Sequence, residues 1–506
     1  MFVNRSEGAP QSLRAAWMAL AGLSAVFLFE MLDNSILNVA LPTIGRELGA
    51  STVALQWVTG AYTVVFGGLM LVFGALADRV GRRRVMLVGL VLLGLASLAT
   101  AFVTSAWQLI AVRAVMGVAA AMTTPGTMAL AFRLFDTDGL RLRAVTLIST
   151  VGLVGMAIGP TVSGFVLSFA PWQVLLLVNV PVAALAYVGV RAGIAADRED
   201  ELHRDPVDVP GAVLGTAAIV LALLAPTLFV NQGVGAWRPW AAVAGAVGAG
   251  ALFVRRERTA AYPLLDLGLV ARPLVSSGLA YKAAAGLATA GLGYLVTLQL
   301  QLAWGWSPGF AALGMLPQVV VLLGAGPFVN PFVERVGHAR AALLSSVAVV
   351  SGLAVYGFLG RFGYVYVAVA LALVAAGLRV VGVVAGLNVL RGLPKDRASI
   401  GSALTDTVTE VSNGVGLAVS GTVLAALFTG SVAASDWSAA QAAQFQRAAT
   451  VGGLVLTGVA AALVGWGMVR ARRSSTNGGQ APRTDEVAGP TTGSGTRSGP
   501  ASGRTA

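Results

Sequence analysis

The chain has 506 residues, 56% apolar and only 11% charged, against roughly 25% charged in an ordinary soluble domain, which excludes a soluble enzyme of the usual kind. Its net charge of +12 could suit nucleic acid, but arginine-rich cytoplasmic loops of a membrane protein reach that balance without such a partner. There is no cysteine, and the two histidines, His203 and His338, fall in loops; thiolate chemistry is excluded, no metal site or cofactor is expected, and catalysis starts weak.

A bilayer-spanning helix needs about 20 apolar residues. Many such stretches follow one another here, so the chain reads as an all-α polytopic membrane protein. After an N-terminal tail over 1–14, spans are predicted near 15–39, 55–77, 85–104, 107–131, 144–168 and 173–191, a six-helix bundle within 15–194. A mixed-charge linker over 195–208 leads to two further spans, 209–230 and 237–254, inserted within 209–254. A second linker, 255–273, precedes spans near 274–300, 309–331, 341–360, 363–390, 401–428 and 448–469, a second six-helix bundle within 274–470. The tail over 471–506 has almost no apolar content and is expected to be disordered. Of the 34 Lys and Arg residues, 27 fall in loops on one side, four on the other and three within spans. The positive-inside rule then puts both termini in the cytoplasm. The first apolar run continues into a charged helix, so no cleavable signal peptide is expected.

An internal repeat links the halves. Gly74–Arg84 (GALADRVGRRR) aligns with Asn330–Arg340 (NPFVERVGHAR), matching Asp78 to Glu334, Arg79 to Arg335, Gly81 to Gly337 and Arg84 to Arg340. Each copy follows a second span of its half. Parallel repeats about an axis along the membrane normal are a transporter architecture.

Four motifs then carry a resemblance. Leu32-Asp33-Asn34-Ser35-Ile36-Leu37-Asn38-Val39-Ala40-Leu41-Pro42 looks like an LDxTxxNVALP signature, with serine for threonine. The loop Gly74–Arg84 is similar to a GxLaDrxGrr element, and Arg113 with Gly117 to an RxxqG element, Met116 replacing glutamine. Gly155, Gly159, Pro160, Ser163 and Gly164 resemble a GxxxGPxxGG motif, one glycine being serine. Together they resemble the major facilitator superfamily, specifically its fourteen-helix drug:proton antiporter branch. The resemblance implies two six-helix bundles with two inserted central helices, moving by alternating access around a midplane cavity.

Physical reading of the same residues is consistent with that. Gly152, Gly155, Gly159 and Ser163 share a helical face that permits close helix approach, and Pro160 permits a kink. Asp78 beside Arg79, Arg82 and Gly81 can form charge-assisted bonds on one face of a transport cycle and lose them on the other; Glu334 and Arg335 repeat the arrangement. Seven ionisable groups fall inside spans, where they are functional candidates by default: Glu30, Asp33, Arg113, Lys282, Arg379, Asp406 and Glu410. Four acids against three bases allow one carboxyl to be neutral without leaving a charge unpaired. The resemblance places Asp33 and Arg113 in the central cavity as a proton-coupling pair. Glu30, Arg379, Asp406 and Glu410 are assigned to the substrate cavity, with Arg379 expected to neutralise Asp406 or Glu410, the alternative being contact with an anionic or zwitterionic antibiotic, and Lys282 to snorkel. Trp304 and Trp306 read as interfacial belt residues. Thr409-Glu410-Val411-Ser412-Asn413-Gly414 resembles the acidic pattern of quaternary-ammonium exporters.

No GxxxxGK[ST] phosphate loop occurs, so the energy source is an ion gradient. The expectation is a monomeric, proton-coupled exporter of drugs or antibiotics in a bacterial cytoplasmic membrane, its partners being protons, the small-molecule substrate and the lipid bilayer, with no nucleic acid. An uptake symporter for a small metabolite and a non-transporting receptor are the alternatives. Catalysis within the membrane lacks both nucleophile–base and metal-ligand sets.

Overall fold

A computed structural model of the chain describes residues 10–197, 208–233, 235–393, 398–428 and 437–477. Every regular element among them is helical. His203, Lys395, Arg397 and the tail beyond Asn477 lie outside the described residues.

The first half comprises α1 (Trp17–Glu47), α2 (Thr52–Val80), α3 (Arg82–Ala99), α4 (Ala106–Arg133), α5 (Asp138–Val166) and the short pair α6 (Gln173–Leu177) and α7 (Asn179–Gly193). A hairpin of α8 (Val209–Gln232) and α9 (Trp237–Thr259) follows, then the one-turn α10 (Leu267–Val270). The second half holds α11 (Pro273–Leu298), α12 (Pro308–Gly314), α13 (Leu316–Gly324), α14 (Gly326–Val336), α15 (His338–Leu359), α16 (Tyr364–Gly392), α17 (Ala398–Leu427) and α18 (Ala439–Asn477).

Local chemistry sets many of the boundaries. The Ser51 hydroxyl accepts from the Ala54 N–H to open α2, and Ser105 with Gln108 forms a capping box at α4. Proline occupies the first turn of α8 and α11, where its missing N–H costs nothing. Pro327, at the start of α14, breaks the expected 309–331 span, so that α13 and α14 meet at 63°. In α1 a 42° bend separates Trp17–Asp33 from Ser35–Glu47. The Ser35 hydroxyl accounts for it locally, donating back to Met31 O at 3.2 Å and Leu32 O at 3.0 Å.

The expected count of fourteen crossings is not reached on length and apolarity together. Among the described residues eleven helical segments are long and apolar enough to cross a bilayer, and the two bent pairs bring the number to thirteen. The exception is α9, whose sequence carries Arg238, Arg255, Arg256, Glu257 and Arg258. The second linker is partly structured, since α9 runs to Thr259 and α10 lies within it, and α18 continues to Asn477 beyond the expected boundary at 470.

The two halves have the same internal neighbours. In the first, α1 packs on α5 and α7, α2 on α4, and α3 on α4 and α7. In the second, α11 packs on α17 and α18, α13 on α16, and α15 on α16 and α18. Gly81 ends α2 and Gly337 ends α14, and both have positive φ, +114° and +85°. The aligned loops are thus repeats in backbone geometry as well as in letters. Between the halves α2 packs on α17 and α5 on α12 and α13, while α8 lies against both α2 and α17. One end of the bundle collects the basic loops: Arg83 donates to Arg191 O, Arg272 to Gly392 O, and Arg256 pairs with Asp208 at 3.0 Å.

Candidate functional site

Between the halves lies a cavity of about 530 Å³, reaching to Phe132 and Val145 near the basic end of the bundle. At the opposite end the halves meet. Gln301 Nε2 donates to Val39 O at 2.9 Å and Gln56 Nε2 to Ala418 O at 3.3 Å. The glycine motif of α5 serves both kinds of contact. A Cβ at Gly155 would lie 2.7 Å from Leu28 Cδ1, and one at Gly159 would strike the Ser35 hydroxyl, so these glycines seat α5 on α1 within the first half. Gly164 does something different: its Cβ would strike Pro308 O and Ala312 across the divide. Pro160 lies inside α5 and lines the cavity.

Asp33 and Arg113, 80 positions apart in sequence, meet at 2.6 Å with both side chains buried. Arg113 also donates to Val58 O at 3.2 Å, and its guanidinium lies 4.4 Å from the centre of the Tyr62 ring. Asn179 Nδ2 donates to the other Asp33 oxygen at 3.4 Å. A buried charge needs such partners, because its desolvation is offset only by well-placed opposite charge and hydrogen bonds.

Glu30 departs from expectation. It does not line the cavity; its carboxylate accepts from the Thr124 hydroxyl at 2.7 Å. Three residues along an α-helix leave about 60° between two side chains, enough to put Asp33 in the cavity wall and Glu30 behind it.

Asp406 and Glu410, one turn apart on α17, both line the cavity. Glu410 Oε1 accepts from Asn413 Nδ2 at 3.1 Å, but Oε2 is buried with no hydrogen-bond partner among the described residues. Lys282 lines the same cavity and interacts electrostatically with Asp406. It does not snorkel as expected, because α11 is packed on three sides by α16, α17 and α18. Arg379 also lines the cavity, but has no carboxylate partner among the described residues, and its Nε is buried without a hydrogen bond. The expected pairing of Arg379 with Asp406 or Glu410 is therefore absent. Its guanidinium sits against Gly326 at the α13–α14 break, where a Cβ would approach within 2.8 Å of Nη2.

At the basic end Asp78 pairs with Arg82 at 2.5 Å within the first repeat loop. Arg79, Glu334 and Arg335 make no hydrogen bond or ion pair to described residues. Asp197, from the linker, accepts from the Arg83 and Arg84 backbone N–H groups at the start of α3 and pairs with Arg133 at 3.2 Å. A Cβ on Gly81 would strike the Asp197 carboxylate. Trp304 and Trp306 stack together at 5.8 Å, with Trp306 also against Phe310 and Tyr364.

Asn179, Gln56, Gln301, Tyr62 and Asp197 were not singled out by sequence. Asn179, Gln56 and Gln301 are polar residues in apolar runs, and the rule that flagged the charged residues would have found them if extended to amides. Tyr62 and Asp197 carry no such signal.

Comparison with known proteins agrees with this architecture. The model of the Major Facilitator Superfamily matches residues 23–417. The multidrug efflux pump LfrA of Mycolicibacterium smegmatis is 32% identical over 84% of this chain and 85% of its own length. The cephamycin export protein CmcT of Amycolatopsis lactamdurans is 34% identical over 68% of this chain and 71% of its own. Among solved structures, the POT family transporter PepTSo superposes with a TM-score of 0.65 at 16% identity, covering 93% of this chain and 100% of that one, a likeness of fold. With a family model spanning most of its length and relatives among multidrug and antibiotic efflux pumps, this multi-pass membrane protein belongs to the Major Facilitator Superfamily.

Proposed function

We propose that the chain is a proton-coupled exporter of drugs or antibiotics in a bacterial cytoplasmic membrane, with both termini cytoplasmic and its cavity open to the cytoplasm. The observation that carries this reading is the central cavity: it is lined by three carboxylates and three cations inside the membrane, and the halves meet beyond it through Gln301, Gln56 and Gly164. The names of the efflux relatives supply the direction of transport, and the one-sided basic loops supply the orientation.

In this reading the bundles 15–194 and 274–470 rock about the cavity. Asp33 and Arg113 form the coupling pair. A proton arriving from outside neutralises Asp33, frees Arg113 to find other partners, and so makes the two conformations differ in charge balance. Asp406 and Glu410 hold the cationic part of a substrate, competing for it with protons. The basic-end contacts of Asp78 with Arg82, and of Asp197 with Arg133 and the start of α3, hold that end while the cavity is open to it and rearrange as it closes, with Glu334 and Arg335 acting in the second loop. Gly164 gives the outer closure its tight helix contact.

The test is flux into proteoliposomes under an imposed pH gradient, with lipophilic cations, zwitterionic antibiotics and neutral drugs as solutes. Gradient-driven movement that reverses sign with the gradient supports coupled export; equal flux with and without a gradient contradicts proton coupling.

A further inference from the structure

The charges around the cavity do not balance locally. Asp33 is matched by Arg113, and Asp406 by its electrostatic interaction with Lys282. That leaves one acid and one base. Glu410 has a buried oxygen without a partner, and Arg379, on a different helix, has a buried Nε without one and no carboxylate within ion-pair distance among the described residues. Both side chains line the same cavity.

A stable protein does not leave two opposite charges buried and separate without cost. Unpaired buried charge is expensive, and simple neutralisation would have needed only that the two groups touch. Glu410 is held by Asn413 on its own helix, and Arg379 is lodged against Gly326 at the helix break. Each is thus held by a neighbour other than the opposite charge, and the two make no ion pair with each other. The cavity that both line, about 530 Å³ in all, falls within the range that takes a drug-sized molecule.

We propose that the cavity selects zwitterionic substrates, compounds bearing both an ammonium and a carboxylate, with the ammonium on Glu410 and the carboxylate on Arg379. This rests on the exporter reading for its transport consequence, though not for the binding site itself. A purely cationic drug would satisfy Glu410 but leave Arg379 unmatched and face its repulsion; a purely anionic one would do the converse. Arginine suits the second role because its planar fork binds a carboxylate through two parallel hydrogen bonds.

The experiment measures binding to the purified full-length protein in nanodiscs by isothermal titration. The probes are ampicillin, its ester pivampicillin, which keeps only the ammonium, and benzylpenicillin, which keeps only the carboxylate; ciprofloxacin and its ethyl ester provide a second scaffold. The wild type is expected to bind at least one zwitterion about tenfold more tightly than its ester, the ratio one charge-assisted contact supplies. Arg379→Gln should abolish that preference, and Arg379→Lys, which keeps the charge but loses the two-pronged contact, should retain only part of it. Glu410→Gln should abolish the preference of ampicillin over benzylpenicillin. The proposal is overturned if both esters bind as well as or better than their parents, or if Arg379→Gln weakens parent and ester equally. Should Arg379→Gln not fold, the wild-type comparison of the two pairs and the Arg379→Lys variant decide. Flux separates the two readings: esters exported while zwitterions are not would retain the exporter and sink the zwitterion site, whereas Arg379-dependent binding with no flux of any solute would do the reverse.

Discussion

The two halves share a helix arrangement but treat their buried charges in opposite ways. In the first half Asp33 sits in the cavity wall enclosed by Arg113 and Asn179, with Tyr62 under the guanidinium, and both members of the ion pair are buried. In the second half Lys282, Arg379, Asp406 and Glu410 all border the cavity, and none makes a direct ion pair among the described residues. A closed pair is suited to respond to one added proton; an open set is suited to meet a ligand. On the proposed function, the repeated bundles divide their labour, coupling on one side and recognition on the other.

The largest expected effect comes from opening the closed pair. Asp33→Asn leaves Arg113 buried without its counter-charge, which costs about 3–5 kcal/mol; thermal unfolding should show that loss. Adding Arg113→Leu should restore most of the stability but none of the gradient-driven transport. A double variant that regained transport would show the pair to be structural only.

Next comes the contact where the halves meet. Gly164→Val would push a side chain into Pro308 and Ala312, an overpacking cost of about 1–3 kcal/mol that disfavours the closed outer end and shifts the conformational balance about tenfold. The native chain has no cysteine, so a Phe132→Cys reporter at the cavity mouth can be read without background. Alkylation from the cytoplasmic side should fall in the Gly164→Val background. Gly155→Val, buried within the first half, should instead lower stability without that shift.

A smaller effect sharpens the comparison of the repeated loops. Gly81 and Gly337 share positive φ with extended ψ, so alanine at either strains the backbone by about 1–3 kcal/mol. At Gly81 the new methyl also meets Asp197, whereas nothing lies within 4 Å at Gly337. Gly81→Ala should therefore be the more damaging in thermal unfolding; equal losses would mean that the Asp197 contact contributes little.

The smallest lies outside both halves. Burial beside Asp208 pushes the Glu257 carboxyl above its ordinary value of 4.5, opposed by the Leu265 N–H and by Arg256. A raised folded value means the folded state holds a proton that the unfolded state has released, so this contribution is present at low pH and lost as pH rises through the folded value. Glu257→Gln should flatten that part of the stability profile above pH 4.5. An unchanged profile would show that the carboxyl stays hydrated.

Much of this was legible in the sequence because a bilayer makes backbone and charge rules strict. Apolar runs located nearly every helix, and the rarity of charge within them picked out Asp33, Arg113, Lys282, Arg379, Asp406 and Glu410, all of which line the cavity. What sequence spacing did not convey was rotation and bending. Glu30 shares a helical stripe with Asp33 on paper, yet the angle between them leaves Asp33 lining the cavity and Glu30 turned to Thr124. The partner of Lys282 was likewise hidden, since pairing across helices depends on packing that no spacing encodes. The break at Pro327 could have been read from the proline, but its consequence, a seat for Arg379, could not.

The division of labour is tested most directly by comparing two transport modes in proteoliposomes: accumulation driven by a pH gradient, and substrate exchange at equal pH on both sides. The account predicts that Asp33→Asn loses gradient-driven accumulation but keeps exchange, because the recognition set is untouched, while Glu410→Gln loses both for substrates carrying an ammonium. The account would be contradicted by Asp33→Asn variants that are folded yet lose exchange as well, or by Glu410→Gln variants that retain both modes.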